Sequence, residues 1–134
     1  MTFLAKIRRN QNGAAAIEFA LAAPLVLLLF YAIAQYGIIL LANAGIRHAV
    51  DVGARLATVY VGSTPMTDQQ VKDAVTESLY GIRGGTISDP TVTRGVSNGA
   101  SYIDITVSYS APVRLIVYEY GPIILTETRR AYLP

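Results

Sequence analysis

The sequence of 134 residues contains no cysteine and only one histidine, His48. The absence of cysteine excludes a disulfide framework, a thiolate zinc site and a cysteine nucleophile. A lone histidine among singly scattered acidic residues does not form a cluster with the spacing of a metal site. Neither a phosphate-binding loop nor a G-x-S-x-G nucleophile motif occurs. The sequence therefore predicts a protein that is not an enzyme and that has no cofactor, no metal and no small-molecule substrate.

Charged residues are also scarce, at 15% of the chain, and residues 19–46 form a run of 28 without any charge. A bilayer core of about 30 Å needs about 20 helical residues, so this run is long enough to span a membrane with some tilt. The apolar core of a secretory signal is only about 7–15 residues long. Ala42-Asn43-Ala44 could still serve as a signal-peptidase site. The run therefore predicts a transmembrane helix, with a cleaved signal peptide as the alternative.

The basic residues do not predict a nucleic-acid partner. Lys6, Arg8 and Arg9 precede the apolar run with no acidic residue among them, which favours a cytoplasmic N-terminus. The other eight basic residues are outnumbered by nine acidic residues. The basic character of the chain therefore lies in its first residues, where it orients the predicted helix in the membrane.

The start of the apolar run has an unusual order of residues. Gly13 is followed by three alanines from Ala14, and then by Ile17, Glu18 and Phe19. Glu18 is the only charged residue among the 33 that follow Gly13, and a carboxylate entering a bilayer is costly. Two roles for the Glu18 carboxylate follow. Either the positive end of the helix dipole stabilises this carboxylate, or the carboxylate neutralises a new amino terminus exposed at Ala14, on its own chain or on a neighbouring one.

These residues resemble the N-terminus of class III, type IV-like prepilins: a basic leader, Gly13, the stretch from Ala14 to Leu21, Pro24 and a leucine-rich run. The specific resemblance is to TadE-like pseudopilins of the tight-adherence (Flp/Tad) pilus system. It continues through the alanine-rich residues 43–57 and covers about residues 8–57. Phe19 is compatible with both the TadE-like and the TadF-like branch, whereas the major Flp pilin is much shorter than this chain.

The resemblance implies that a prepilin peptidase cuts between Gly13 and Ala14 on the cytoplasmic side, which leaves Glu18 as the fifth mature residue. Glu18 and Phe19 would then serve in recognition by the peptidase or in assembly. The implied protein is a pseudopilin or minor pilin involved in pilus assembly, in cell adhesion and in a process related to type II secretion. Its implied partners are the lipid bilayer, the prepilin peptidase, other pilins and pilus assembly proteins.

The implied location is the bacterial inner membrane, with a single span, a cytoplasmic N-terminus and later transfer to a pilus or the cell surface. The chain would consist of a leader at residues 1–13, a transmembrane part of a long helix at residues 14–44 and a periplasmic TadE-like domain at residues 45–134. The alternative is an uncleaved single-pass anchor that presents a periplasmic protein-binding domain.

Two sets of residues recur every four positions from the end of the apolar run onward. Small residues at this spacing let a neighbouring backbone approach closely, so they predict packing on the chain's own C-terminal domain or a seam with another helix. These small residues are Gly45, Ala49, Gly53 and Ala57. Arg47, Asp51 and Arg55 recur on another face, where they can pair with one another.

The remaining pattern predicts an α+β fold: a long N-terminal helix, membrane-spanning in its first half and amphipathic in its second, a short helix and a small antiparallel sheet of three or four strands. The long helix is expected to run from Ala14 to about Tyr60 and to break at residues 62–65. A capping box at Thr67 starts the short helix, and Gly81 is a plausible C-terminal cap.

Alternating residues predict the strands. Residues 91–96 and 102–109 are expected to pair through a turn at Asn98-Gly99, and residues 123–130 form the last strand. Pro112 and Gly121-Pro122 bracket an apolar segment, residues 113–120, which is a strand, a core loop or a membrane-proximal patch.

Overall fold

The computed structural model describes residues 11–61, 64–79, 81–115 and 118–133. The three basic residues of the predicted leader, Lys6, Arg8 and Arg9, lie outside the described residues, as does Gly62 at the predicted helix break. By their contacts, the residues divide into two compact units, Met1–Gln35 and Tyr36–Pro134.

Helix α1, Gln11–Ala57, is the longest element and contributes to both units. In the first unit its large apolar side chains are exposed all along the helix, among them Ile17, Phe19 and Leu25. Pro24 lies inside the helix and cannot donate a hydrogen bond to the preceding turn. The second unit contains the rest of α1 and all other elements.

The end of α1 differs from the prediction: the helix stops at Ala57, before Tyr60. The Thr58 backbone N–H donates to the Arg55 carbonyl at 3.2 Å, and the Thr58 hydroxyl donates to the same carbonyl at 2.7 Å. Bonds to the residue three positions back tighten a last turn and satisfy its carbonyls. The chain then leaves the helix, and Tyr60 belongs to a short strand.

Helix α2, Asp68–Ser78, begins at the predicted capping box. The Gln70 backbone N–H donates to the Thr67 hydroxyl at 3.3 Å, and the Thr67 backbone N–H donates to the Gln70 side-chain oxygen at 2.9 Å. Its C-cap is Leu79, with Gly81 two residues further on at a φ of 94°. The helix is short, and its buried residues Val71 and Val75 provide the packing that it needs.

In the described part of the chain, six strands form two antiparallel sheets. Strands β1, Tyr60–Val61, and β2, Thr64–Pro65, make a separate pair. The main sheet contains β3, Thr86–Ile87, β4, Thr91–Ser97, β5, Ala100–Leu115, and β6, Tyr118–Tyr132. β5 is central: β3 and β4 pair with successive parts of one of its edges, and β6 pairs with the other.

The turn between β4 and β5 is the predicted one. Ser97 pairs with Ala100, so Asn98 and Gly99 are the two residues of the turn. Both have positive φ, 52° and 80°. A two-residue turn with positive φ at both positions matches the right-handed twist of the strands, and Asn-Gly is its preferred sequence.

Strands β5 and β6 are longer than the sequence predicted, and they include the described residues of the apolar segment that Pro112 and Gly121-Pro122 bracket. Residues 113–115 of β5 pair with residues 118–120 of β6, so these residues belong to the paired ends of the two strands. Pro112 falls where the register shifts between Ala111 and Val113. Proline has no N–H to donate to a neighbouring strand and is tolerated at such irregularities. Pro112 therefore does not end β5.

The core lies between the two helices and one face of the sheet. Alternate residues of β5 are completely buried: Ile103, Ile105, Val107 and Tyr109. α1 contributes buried residues from Ala42 onward, including Ile46, to the same core cluster. The α+β prediction is therefore confirmed, with a long apolar helix, a short second helix and an antiparallel sheet of four strands.

Candidate functional site

The predicted cleavage segment, residues 13–19, lies on the surface of α1. All seven residues are helical and exposed. A Cβ added at Gly13 would meet no heavy atom within 4 Å, apart from the backbone of its own helix. The Gly13–Ala14 peptide bond is therefore accessible, and only local helix hydrogen bonding holds its conformation.

Glu18 lies in the same segment without an ion-pair partner in the described part of the chain. Because α1 already includes Gln11, Glu18 is at least about two turns into the helix, where the favourable effect of the helix dipole has faded. Counted from Ala14, however, Glu18 is four residues along, and residues four apart share one face of a helix. A new amino terminus at Ala14 would therefore lie one turn from the Glu18 carboxylate.

The helix after this segment is long and apolar enough to cross a membrane. Gly13–Ala57 contains an 18-residue window with a mean hydropathy of 2.3, of which only 6% is buried. Exposed large apolar side chains continue to Leu41, which is 75% exposed, although Ile39 is already partly buried against the core, and full burial begins at Ala42, which is 3% exposed. From Phe19 to Leu41 the helix rises about 35 Å, close to the thickness of a bilayer core.

The small-residue face of α1 lies against the chain's own second unit. Ala49 and Ala57 are 0% and 1% exposed. A Cβ at Gly53 would collide with Val75 of α2 and would lie 3.1 Å from Ile105 of β5. Gly45 approaches the loop after α2, because a Cβ there would lie 2.8 Å from Ile82 Cδ1. In this chain the face is covered by α2, β5 and that loop.

The charged face of α1 does not form the predicted pairs along the helix. The Arg47 Nε donates to the Glu127 Oε1 at 2.8 Å, and the Arg129 Nε donates to the Asp51 carboxylate. Both partners lie on β6, so these ion pairs connect the helix to the outer strand. The hydrogen bond from Arg129 holds the pKa of Asp51 below its ordinary value. Glu127 and Arg129 were missed because they lie 80 and 78 residues away in sequence.

The opposite face of the sheet is polar. Arg130 makes two hydrogen bonds to the Asp104 carboxylate, at 2.8 and 2.7 Å, which hold the pKa of Asp104 below its ordinary value. The Arg130 guanidinium also lies 3.8 Å from the centre of the Tyr102 ring. Hydroxyl pairs, such as Thr106 with Thr128, continue the contact between β5 and β6. These groups stabilise the hairpin through cross-strand pairing.

Groups that could do chemistry are sparse in the described residues. No cluster of three or more His, Asp or Glu side chains that could hold a metal occurs among them. His48 is exposed on α1. Burial raises the pKa of Tyr109, whose hydroxyl donates to the Arg83 carbonyl at 3.1 Å, so this tyrosine has a structural contact.

Comparison with protein families found that a family model described as TadE-like protein matches residues 13–55 of the chain. Neither the comparison with curated proteins nor the comparison with solved structures found a match. The matched region begins at Gly13, includes Glu18 and the apolar run, and ends within the part of α1 that packs on the sheet. The exposed start of α1, its apolar run and the part of it that packs on the sheet thus fall within the matched segment, and over residues 13–55 the chain is similar to TadE-like proteins.

Proposed function

We propose that this chain is a minor pilin or pseudopilin of a type IV-like (Flp/Tad) pilus and that a prepilin peptidase matures it by cutting after Gly13. The TadE-like match supports involvement in the Tad pilus system. The observation that carries the finer proposal is the exposed Gly13–Ala14 bond at the head of an apolar helix, with Glu18 one turn after the new terminus.

Gly13 is suited to a cleavage site for a physical reason. A protease binds its substrate in an extended conformation, so the first turns of α1 must open before the bond can be cut. Glycine in a helix costs about 1 kcal/mol relative to alanine, which favours local opening. No tertiary packing has to be broken at Gly13, because a side chain there would contact nothing outside the helix.

The mature helix would have two roles in assembly. In the membrane, its exposed apolar side chains contact lipid; in a fibre, they contact the helices of neighbouring subunits. Transfer from lipid to a helix bundle keeps these side chains in apolar surroundings. Glu18 then neutralises an amino terminus at Ala14 on its own or an adjacent subunit, and Phe19, which is 74% exposed, packs beside it.

The proposed partners and location follow from this role. The chain crosses the bacterial inner membrane once, with its N-terminus in the cytoplasm and its sheet domain in the periplasm. It contacts the lipid bilayer, the prepilin peptidase, other pilins and the pilus assembly proteins. No catalytic step is assigned to its own residues.

The mass of the protein extracted from membranes tests the proposal. A chain that begins at Ala14 supports it. A chain that begins at Met1, from cells with an active prepilin peptidase, would show an uncleaved anchor instead. A chain that begins near Gly45 would show a secreted domain, although α1 is continuous there and Ala42 belongs to the core.

A matched pair of variants assigns the cleavage to its site. Gly13→Leu is expected to leave nearly all of the protein at full length, because a bulky side chain then precedes the scissile bond. Gly37→Leu places the same side chain at another helical glycine with nothing within 4 Å, and it should be processed normally. Normal cleavage of the Gly13 variant would refute the proposed site.

A further inference from the structure

A groove lies beside the end of the apolar run, within the second unit. Its volume is about 630 Å³, and it is lined by α1 and by the loop that follows α2. Most of the lining is apolar, including Ile38, Leu41 and Ile82, but Ser78 and Arg83 also line it. The groove therefore combines an apolar wall with a cation.

The loop reaches the part of α1 that the bilayer would surround. A Cβ on Gly84 would lie 2.7 Å from Ile38 Cγ2. Ile38 and Leu41 are themselves 48% and 75% exposed and belong to the uncharged run. A groove at this height along a spanning helix opens at the membrane surface, where apolar chains and phosphate groups are both within reach.

A hydrogen bond to its backbone holds Arg83 beside this part of α1. Its carbonyl accepts a hydrogen bond from the hydroxyl of Tyr109, a completely buried core residue. The Arg83 side chain is exposed, and in the described part of the chain it has no ion-pair partner. An arginine beside apolar surface can lay its stem along that surface and direct its guanidinium to a phosphate.

We propose that this groove binds an anionic phospholipid, with an acyl chain along Ile38, Leu41 and Ile82 and the headgroup phosphate paired with Arg83. The proposal rests on the membrane-spanning helix of the proposed function. A second copy of α1 fits less well, because its uncharged run has no acidic residue between Phe19 and Ile46 to pair with Arg83. A phospholipid supplies both the apolar chain and the anion.

The test measures lipid retention by the full chain. The protein is reconstituted in nanodiscs of phosphatidylcholine with phosphatidylglycerol, extracted in a mild detergent and weighed by native mass spectrometry. Arg83→Gln should retain about fivefold less phosphatidylglycerol than the wild type, the ratio that corresponds to about 1 kcal/mol for one basic residue at an anionic surface. Arg55→Gln, which removes an exposed arginine outside the groove, should retain as much as the wild type.

A second variant fills the groove without touching the cation. Ala44 lines the groove and is exposed, so Ala44→Phe adds volume there without disturbing the core. Ala44→Phe should lower the retention of phosphatidylglycerol and of phosphatidylcholine. Ala34→Phe, which replaces an exposed alanine of α1 away from the groove, should leave the retention of both unchanged. Unchanged thermal unfolding of all four variants, followed by circular dichroism, shows that they are folded.

The phosphate contact would be overturned if Arg83→Gln retained as much phosphatidylglycerol as the wild type. It would also be overturned if Arg55→Gln lost as much phosphatidylglycerol as Arg83→Gln. A bound protein chain in place of lipid, seen as an added mass of a protomer, would overturn the choice of occupant. A chain that is absent from the membrane fraction would instead refute the membrane anchoring of the proposed function. A membrane-bound chain that retains no lipid would refute only the groove.

Discussion

Glu18 is the residue on which two explanations diverge. As a helix N-terminal anion, Glu18 would matter only for local stability, yet α1 already includes Gln11, which places Glu18 beyond the first turn. As the partner of an amino terminus at Ala14, it would matter only after cleavage. The two roles therefore predict different defects for the same substitution.

Glu18→Gln keeps the size of the side chain and removes its charge. We expect cleavage after Gly13 to remain normal and the amount of surface fibre to fall at least about tenfold, since a charge-assisted hydrogen bond contributes about 1.5–3 kcal/mol and each 1.4 kcal/mol is a factor of ten. The measurement is the ratio of sheared fibre to membrane-bound protein. Glu77→Gln, an exposed carboxylate on α2, is the control, and normal assembly by the Glu18 variant would refute the charge-neutralising role.

At the scale of elements, ion pairs connect β6 both to α1 and to β5. Asp51 pairs with Arg129, and Asp104 pairs with Arg130. Their side chains are partly exposed, at 43% for Asp51 and 23% for Asp104, so solvent and salt weaken both pairs. Their effect should therefore appear as a modest pH dependence of stability rather than as a requirement for folding.

The direction of that dependence follows from the pKa values. Both aspartates have a folded-state pKa below the ordinary value of 3.8. As the pH falls from the ordinary pKa to the lowered one, the unfolded chain therefore binds more protons than the folded chain. The pairs thus stabilise the fold above the ordinary pKa, and this contribution is lost as the pH falls through the lowered values. Thermal unfolding of the detergent-solubilised chain should show a loss of a few degrees in Tm on acidification.

The variant that tests these pairs replaces both carboxylates, Asp51→Asn with Asp104→Asn. It should begin with a lower Tm at neutral pH and lose less of it on acidification than the wild type. Lys72→Gln, a change of charge outside both pairs, should keep the wild-type slope. Parallel pH profiles for the wild type and the double variant would show that the two pairs do not contribute.

The elements that the sequence predicted well are those with local signals. The capping-box residues Thr67 and Gln70 lie three residues apart, and Asn98-Gly99 joins two strands directly. Both the helix start and the turn can therefore be recognised from a few neighbouring residues. Pro112 left a strand, a core loop and a membrane-proximal patch as alternatives for residues 113–120, because a proline ends a regular strand but not one with a bulge. The contact of Arg47 with Glu127 depends on the register of β6 against β5, which no local pattern contains.

The groove beside α1 was also beyond sequence analysis. Arg83 lies in a loop with glycines at positions 81, 84 and 85, for which the sequence predicts only a helix cap at Gly81. The position of this loop against Ile38 depends on how the core packs α2 and the loop against α1. Loops reach functional positions through the tertiary packing of a scaffold rather than through their own sequence pattern.

At the scale of the whole molecule, charge is arranged around the apolar run. Three basic residues precede the run without an acidic neighbour, whereas after it Arg47 and Arg55 are partly offset by Asp51. Positive charge close to one end of a span keeps that end in the cytoplasm. The arrangement predicts a periplasmic sheet domain, and it predicts that the leader sets this orientation before cleavage removes it.

Replacing the leader charges tests the orientation directly. Alkaline phosphatase fused after the C-terminus folds and is active only outside the cytoplasm, so the wild-type fusion should be active. The triple variant Lys6→Glu, Arg8→Glu and Arg9→Glu should lose most of this activity at equal protein level, because the positive charges of residues 47 and 55 then compete to stay inside. Arg55→Gln removes one competing charge and should keep or raise the activity. Full activity of the triple variant would show that the long apolar helix takes its orientation from something other than the leader.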